Sequence, residues 1–230
     1  MSSSAAKPGP PDEMGGPLRF WFDFASTYSY LSAARIERVA AAAGVPIEWK
    51  PFVLGPIFAG QGWNDSPFNL YPAKGRHMWR DMERLCTKYE LPLRRPSQFP
   101  RASVLASRIA CLVSSEPWCP AFVRAVFHAN FAEDHDISDP AAMVAILDAL
   151  GQDGRDVVTR AEAPEHKGDL RRQTEEAAAL GIFGAPSFTV GPELFWGNDR
   201  LEDAIAWYLQ QTDGNSVTHC TTACSGGGSC

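Results

Sequence analysis

The 230-residue sequence predicts an α/β fold in which a block of helices interrupts a small sheet domain. Three observations carry this prediction. A strand pattern, a helix pattern and a second strand pattern follow one another over residues 18–54. Residues 61–165 show only helical periodicity, and a helix, two short strand patterns and a final helix then close the pattern near residue 210.

The first strand and helix are the clearest elements of the sequence. In residues 18–24, LRFWFDF, apolar residues recur with period two, which predicts a strand with at least one buried face. Tyr28 to Ala43 reads as a helix that stops at Gly44. Residues 46–54, PIEWKPFVL, read as a second strand. A strand, a helix and a strand with short connections predict a parallel βαβ unit.

The middle of the chain begins with a predicted long loop, residues 55–75, which is rich in Gly, Pro and Asn. Loops of this length inside compact domains are often functional. Helices follow, because apolar residues recur every three or four positions. Asp139 and Pro140 open one of them as N-cap and first helical residue. The apolar stripes comprise Met78, Met82, Leu85 and Tyr89, then Leu105, Ile109 and Leu112, then Val123, Phe127 and Phe131.

The last part of the chain returns to a mixed pattern. A helix over residues 169–181 precedes two short strands around the Gly191-Pro192 turn, and Asp199 is expected to cap a final helix. A strand pair that closes a sheet begun by βαβ is a thioredoxin-like order. We therefore predict a thioredoxin-like domain from residues 17–60 and 166–212, with an all-helical domain, residues 61–165, inserted in the middle.

Composition excludes several classes of partner. The net charge is −6 and no basic face is evident, so nucleic acid is not an expected partner. No window approaches the roughly 18 apolar residues of a membrane span. Residues 1–16 are rich in Ser, Pro and Gly and lack the apolar core of a secretory signal, so we expect a disordered arm. A cytoplasmic protein with no membrane partner is the expectation.

Three of the six cysteines lie in a predicted flexible, Cys- and Gly-rich tail, residues 213–230. Cys220, Cys224 and Cys230, with His219, are either soft-metal ligands or free thiols in an unstructured segment. Their spacing matches no standard zinc finger. We therefore assign no metal site.

The junction between the first strand and the first helix carries a hydroxyl at Ser26. A helix N-terminus presents unpaired N–H groups and the positive end of the helix dipole, so an anion is stabilised there. Serine is also a good N-cap. Ser26 is therefore either a simple cap or part of an anion-binding site.

The motif DFASTYSYL resembles the turn of DsbA-type disulfide oxidoreductases, which carry Cys-x-x-Cys there. Ser26 and Ser29 occupy both cysteine positions, so dithiol redox chemistry at this turn is excluded. The motif is similar to that of kappa-class glutathione transferases and 2-hydroxychromene-2-carboxylate isomerases, and the resemblance runs from Leu18 to about Gln210. It implies that Ser26 is the catalytic residue that contacts the glutathione sulfur. Thr27 replaces the family's usual proline.

Two further matching residues lie in the long loop. The resemblance implies that Asn64 binds glutathione through its amide, although Asn69 is a nearby alternative. It implies that Lys74 contacts the glycyl carboxylate of the tripeptide. The other reading of Lys74 is a solvated loop lysine.

The last two motifs are FGAPS and WGNDRLEDAI. In the families that the chain resembles, a cis-proline faces the helix N-terminus, and the residue before it pairs its backbone with the bound cysteine. Ala185 and Pro186 occupy these places. Asn198 and Asp199 correspond to the pair that receives the γ-glutamyl amino and carboxyl groups, one through carboxylate charge and one through helix amides.

The resemblance implies a glutathione-dependent isomerase. Glutathione thiolate adds to 2-hydroxychromene-2-carboxylate, rotation and ring opening follow, and trans-o-hydroxybenzylidenepyruvate leaves with regeneration of glutathione, the cofactor. Trp63, Phe68 and Tyr71 are expected to line a pocket for the aromatic substrate, whereas Trp79 is expected in the core. The alternatives are a kappa-class-like glutathione transferase and a non-catalytic glutathione-binding module. The resemblance also implies a homodimer.

Overall fold

A computed structural model describes residues 16–218, with side chains described through residue 212. The predicted arm, apart from Gly16, therefore lies outside the described residues. The same is true of His219 and the three tail cysteines, so their predicted alternatives stay predictions. The final helix runs to Thr218, so the predicted tail, which starts at residue 213, begins inside a helix.

Four strands form one mixed sheet in the order β2-β1-β3-β4. These strands are β1 (Leu18–Phe22), β2 (Ile47–Pro51), β3 (Ser187–Val190) and β4 (Glu193–Trp196). The β1 strand pairs in parallel with β2 and antiparallel with β3, and β3 pairs antiparallel with β4. The predicted βαβ unit and the strand pair around Gly191-Pro192 are both confirmed.

Ten α-helices surround the sheet in the described part of the chain, and all elements between residues 61 and 165 are helical, as predicted. Asp139 caps α7 through a bond from the Ala141 amide. The helices are α1 (Thr27–Ala43), α2 (Leu54–Gly60), α3 (Pro67–Leu70), α4 (Pro72–Tyr89), α5 (Val104–Leu112), α6 (Cys119–Phe131), α7 (Pro140–Ala149), α8 (Gly154–Glu162), α9 (Lys167–Ala179) and α10 (Leu201–Thr218).

The predicted long loop is wrong in part, because it contains α2, α3 and the start of α4. The predicted second strand is also too long, since β2 ends at Pro51 and α2 begins at Leu54. Proline caused the error. Pro67 and Pro72 lie at the first positions of α3 and α4, where a missing N–H costs nothing, so here proline marks helix starts rather than loop.

The central strand β1 is buried on both faces, which explains its unusually aromatic sequence. Phe20 lies between the rings of Trp49 and Phe188, at centroid distances of 5.3 and 5.5 Å. Trp21 faces the other side, packs against Phe52 and donates its indole N–H to the Thr189 hydroxyl at 3.0 Å. Each buried aromatic side chain contributes about 1.5–3 kcal/mol relative to exposure.

The helical block shares this core with the sheet. Phe24, just beyond β1, lies 5.0 Å from the Phe127 ring and 6.4 Å from the Phe122 ring, both on α6. These residues belong to one continuous apolar cluster. The turn that joins β1 to α1 is therefore held between the two parts of the chain.

Candidate active site

Ser26 lies at the N-terminus of α1 and uses its hydroxyl twice. The oxygen accepts a hydrogen bond from the Ser29 amide, as an N-cap does, at 3.2 Å. The hydroxyl donates to the Ala185 carbonyl at 2.9 Å. Ser29, the second serine of the motif, is fully buried, and its own hydroxyl has no partner among the described residues. The two serines therefore differ, since Ser26 lines the cavity described below and Ser29 belongs to the interior.

The segment opposite Ser26 contains the predicted cis-proline. The Ala185-Pro186 peptide bond is cis, which confirms that part of the prediction. The Pro186 carbonyl accepts a hydrogen bond from the Gly197 amide at 3.0 Å, so this segment adjoins the turn before α10. A Cβ at Gly184 would lie 2.4 Å from Nε1 of Trp196, so a side chain there would require the indole ring to move.

Asn198 and Asp199 lie in a 3-10 turn, residues 198–200, that leads into α10. The prediction that Asp199 caps the final helix is wrong. Asp199 lies inside the 3-10 turn, and the N-cap of that turn is Gly197, whose φ of 116° favours glycine. The Asp199 carboxylate instead contacts Arg200 at 3.3 Å, and its side chain is 72% exposed.

The Asn198 side chain faces the interior. Its Oδ1 accepts hydrogen bonds from the Ser32 hydroxyl at 3.1 Å and from the Arg35 guanidinium at 3.0 Å. Arg35 also pairs with Glu202 and lies 4.2 Å from the Tyr89 ring centroid. Asn198 thus anchors the turn to α1 through its side-chain oxygen.

The two predicted loop residues line the same cavity as Ser26. Asn64 and Lys74 both contribute to its wall. The alternative residue, Asn69, instead donates its amide to the Asp65 carboxylate and to the Phe99 carbonyl, each at 3.2 Å. The Lys74 ammonium lies 4.7 Å from the Tyr71 ring centroid. Asn64 therefore lines the cavity, whereas Asn69 lies outside its wall with its amide hydrogen-bonded.

The cavity has a volume of about 1410 Å³ and is bordered by Ser26, Ala185, Pro186, Asn198 and Asp199. This volume exceeds the roughly 300–1,000 Å³ of a typical small-molecule site, so it has room for two ligands side by side. Aromatic side chains form much of its wall, namely Tyr28, Phe58, Trp63, Phe68, Phe99, Phe183, Tyr89 and Trp196.

Only some of the aromatic residues predicted to line a substrate pocket lie in the cavity wall. Trp63 and Phe68 line the cavity as expected. Tyr71 does not belong to its wall. It is nearly half exposed and packs edge-on against Trp63, so that prediction is wrong. Trp79 packs against Phe99 at 5.0 Å outside the cavity wall, in agreement with its expected packing role.

Two polar pairs in the cavity wall were not predicted from the sequence. Tyr28 donates its phenol O–H to Asp81 at 3.0 Å, and burial together with that carboxylate raises the pKa of Tyr28. Asp23 accepts a hydrogen bond from the Ser103 hydroxyl at 2.7 Å, and burial raises the pKa of Asp23. Asp23 belongs to the DFASTYSYL motif, but its partner lies 80 residues away and no local signal connects them.

The described cysteines offer no nucleophile. Burial raises the pKa of Cys86 to about 11 and the pKa values of Cys111 and Cys119 to about 12, so all three are protonated at neutral pH. None of these three forms a disulfide. No group of three or more His, Cys, Asp or Glu within residues 16–218 is arranged to hold a metal ion. No helix in that range is both long and apolar enough to cross a membrane.

Comparisons with known proteins agree with this architecture. The family model described as a DSBA-like thioredoxin domain matches residues 17–207. The chain is 31% identical over 194 residues to a 2-hydroxychromene-2-carboxylate isomerase from Sphingobium xenophagum, which covers 84% of this chain and 97% of the relative. It is 24% identical over 206 residues to glutathione S-transferase kappa 1 from Homo sapiens, which covers 81% of this chain and 90% of the relative.

A solved structure of a 2-hydroxychromene-2-carboxylate isomerase superimposes with a TM-score of 0.79 at 23% identity. The match covers 88% of this chain and 99% of that chain. This likeness confirms a thioredoxin fold that carries many additional helices. The chain therefore belongs to the family of DSBA-like thioredoxin domains, and its relatives include isomerases and kappa-class glutathione transferases.

Proposed function

We propose that this protein is a glutathione-dependent isomerase that acts on 2-hydroxychromene-2-carboxylate or a related aromatic compound. One observation carries the proposal. The Ser26 hydroxyl lies at a helix N-terminus, 2.9 Å from the carbonyl before a cis-proline, and lines an aromatic cavity of about 1410 Å³. The isomerase-named relatives at about 30% identity support the reaction class.

The polar groups around the cavity fit the charges of glutathione, which has two carboxylates, one ammonium group and one thiol. Lys74 is a cation for the glycyl carboxylate, and the exposed Asp199 carboxylate is an anion for the γ-glutamyl ammonium. The first amides of α1 and of the turn at Asn198 are donors for anionic groups. Glutathione would supply a thiolate nucleophile for addition and elimination at the substrate's conjugated bond.

The Ser26 hydroxyl has a single proton to donate, so it must leave its present acceptor before it can donate a hydrogen bond to a thiolate. That proton is held by the Ala185 carbonyl. A peptide N–H from the ligand can take over Ala185, which frees the Ser26 proton for a sulfur anion. A charge-assisted hydrogen bond of about 1.5–3 kcal/mol would lower the pKa of a thiol by roughly one to two units.

The aromatic side chains that line the cavity beside Ser26 offer flat apolar surfaces against which an aromatic substrate can pack. Trp63, Phe68 and Phe99 line the cavity and would shield that side of a bound substrate from water. Excluding water strengthens the interaction between an anion and the donors around it. We place the reaction in the cytoplasm, where the glutathione pool is kept reduced. A homodimer is part of the proposal, and light scattering of the purified protein tests it.

The first experiment is calorimetric titration of the wild-type protein and of Ser26→Ala with glutathione, followed by a spectrophotometric assay with 2-hydroxychromene-2-carboxylate. We expect glutathione to bind the wild type, and we expect turnover to require both glutathione and Ser26. Absence of glutathione binding would overturn the proposal. Equal turnover by Ser26→Ala would overturn the role of its hydroxyl.

A kappa-class-like transferase is the second candidate, favoured by relatives of that name from human and Caenorhabditis elegans. The two activities differ in the fate of glutathione, which is regenerated by an isomerase and retained in a transferase product. Mass spectrometry of products formed with aromatic electrophiles separates them. Binding without turnover on any electrophile would indicate a non-catalytic glutathione-binding module.

A further inference from the structure

The carboxyl group of Asp23 is buried in the cavity wall and accepts three hydrogen bonds. Its Oδ1 accepts from the Ala25 amide at 2.9 Å and from the Ser103 hydroxyl at 2.7 Å. Its Oδ2 accepts from the Leu54 amide at 2.8 Å. Asp23 is 3% exposed. Such a group is costly to bury, so its retention beside the candidate site calls for a physical reason.

The three donors come from three separate parts of the chain. Ala25 immediately precedes Ser26 in the turn. Leu54 is the first residue of α2, which carries the cavity residue Phe58, and Ser103 immediately precedes α5, whose first residue, Val104, also lines the cavity. One carboxyl group therefore connects the serine turn to two walls of the cavity.

Asn130, on α6, forms a second anchor, which holds Phe24, the residue after Asp23. The Asn130 amide donates to the Phe24 carbonyl at 3.0 Å, and its Oδ1 accepts from the buried Arg101 guanidinium at 3.0 Å. Both Asn130 and Ser103 belong to the helical block. The residues that precede Ser26 are thus fastened to that block by side-chain hydrogen bonds as well as by apolar packing.

We propose that Asp23 is a positioning residue for the Ser26 site, because its three hydrogen bonds hold the serine turn, α2 and the start of α5 in one arrangement. This inference rests on the proposed function only for the measurements that use glutathione, namely the thiol titration and the chromene kinetics. Asp23 acts through Ser26 and through the cavity walls. Its carboxyl group need not touch either ligand.

The test compares Asp23→Asn and Ser103→Ala with matched controls. Asparagine keeps the size of the side chain but turns one acceptor into a donor, so at least one of the three donors loses its partner. Asp148→Asn is the control for this change, because Asp148 accepts the Gly154 amide at 2.9 Å in the helical block and does not line the cavity. Ser107→Ala is the control for Ser103, because Ser107 is buried on α5 and its hydroxyl has no partner among the described residues.

Four readouts separate positioning from bulk stability. They are the thermal unfolding midpoint, residue-resolved amide hydrogen exchange, the ultraviolet titration of the bound glutathione thiol, and kcat and KM for the chromene. For Asp23→Asn we expect faster exchange at Ala25, Ser26 and Leu54, a raised thiol pKa and about tenfold lower kcat/KM. Ser103→Ala should show the same pattern with a smaller amplitude, and it keeps the test valid if Asp23→Asn does not fold.

Two results would overturn the inference. One is uniformly faster exchange with unchanged thiol pKa and unchanged kcat and KM, which would make Asp23 a general stabilising group. The other is behaviour identical to Asp148→Asn in every readout. If the wild-type protein binds no glutathione, the proposed function fails, and local exchange at Ala25, Ser26 and Leu54 still decides the positioning role.

Discussion

The turn before α1 and the turn before α10 both line the cavity, and each carries an aspartate, but the two carboxylates have opposite environments. Asp23 is buried and accepts three hydrogen bonds from neutral donors. Asp199 has a side chain that is 72% exposed and contacts Arg200. In the second turn the buried anchor is Asn198. The comparison shows that two aspartates beside one cavity differ in burial and in partners, because one is enclosed by hydrogen-bond donors and the other meets solvent.

The largest expected effect on stability at the second turn comes from Asn198→Ala. The substitution removes the oxygen that accepts from Ser32 and Arg35, and it leaves two buried donors short of a partner. We expect the free energy of unfolding to fall by about 2 kcal/mol. Guanidinium unfolding measures this change, and an unchanged midpoint would contradict the framework role of Asn198.

Ser26→Ala should lower the free energy of unfolding by less than Asn198→Ala does, but it should impair activation of the glutathione thiol more. The lost N-cap is worth about 1 kcal/mol, while the pKa of a bound glutathione thiol should rise by about one unit or more. Asp139→Ala is the matched control, since Asp139 caps α7. If that control also raises the thiol pKa, the effect belongs to the fold and not to the Ser26 hydroxyl.

Asp199→Asn should change stability by less than about 0.5 kcal/mol, because an exposed side chain makes a small contribution. Glutathione affinity should fall by roughly two- to fivefold, and the fall should shrink as salt screens the charge. Asp203→Asn is the control, because Asp203 also pairs with Arg200 at 2.7 Å but lies outside the cavity wall. Equal affinities for Asp199→Asn and the wild type would remove Asp199 from the proposed ligand contacts.

Acid titration compares the buried Asp23 with Asp134, whose side chain is 14% exposed. Bonds from Ser97 and Arg101 lower the pKa of Asp134 to about 2, so its contribution to stability is present above pH 4 and is lost as the pH falls toward 2. Burial raises the pKa of Asp23, so its effect has the opposite sign, and stability is lost as the pH rises through that pKa. Carbon NMR of the Asp carboxyl groups should show Asp134 titrating below Asp23. The reverse order would contradict these environments.

Local signals in the sequence were sufficient for several features of the site. The alternation in residues 18–24 located β1, although the strand itself ends at Phe22. The residue type of Ser26 predicted an N-cap, whereas the cis peptide bond before Pro186 was expected only from the family resemblance of the FGAPS motif. The loop prediction for residues 55–75 was wrong in part, because the fixed φ of proline suits the first turn of a helix as well as a loop.

Other features depend on contacts between distant residues. Nothing near Asp23 in the chain reveals that Leu54 and Ser103, 31 and 80 residues away, donate to it. Asp199 satisfied the residue preference of a cap, but it lies inside the 3-10 turn that precedes α10, and Gly197 caps that turn with a positive φ. Tyr71 is of a residue type common in ligand pockets, but it lies outside the cavity wall.

The sequence by itself determined the α/β order and the helical block, because periodicity and capping act over a few neighbouring positions. It also showed directly that serine, and not cysteine, occupies positions 26 and 29 of the turn. Only the tertiary structure decided which polar groups line the cavity and which hold it together. Asp23 and Asp199 are the same residue type, and their environments differ because one is enclosed by donors from three segments and the other meets solvent. Burial is a property of the whole packed chain.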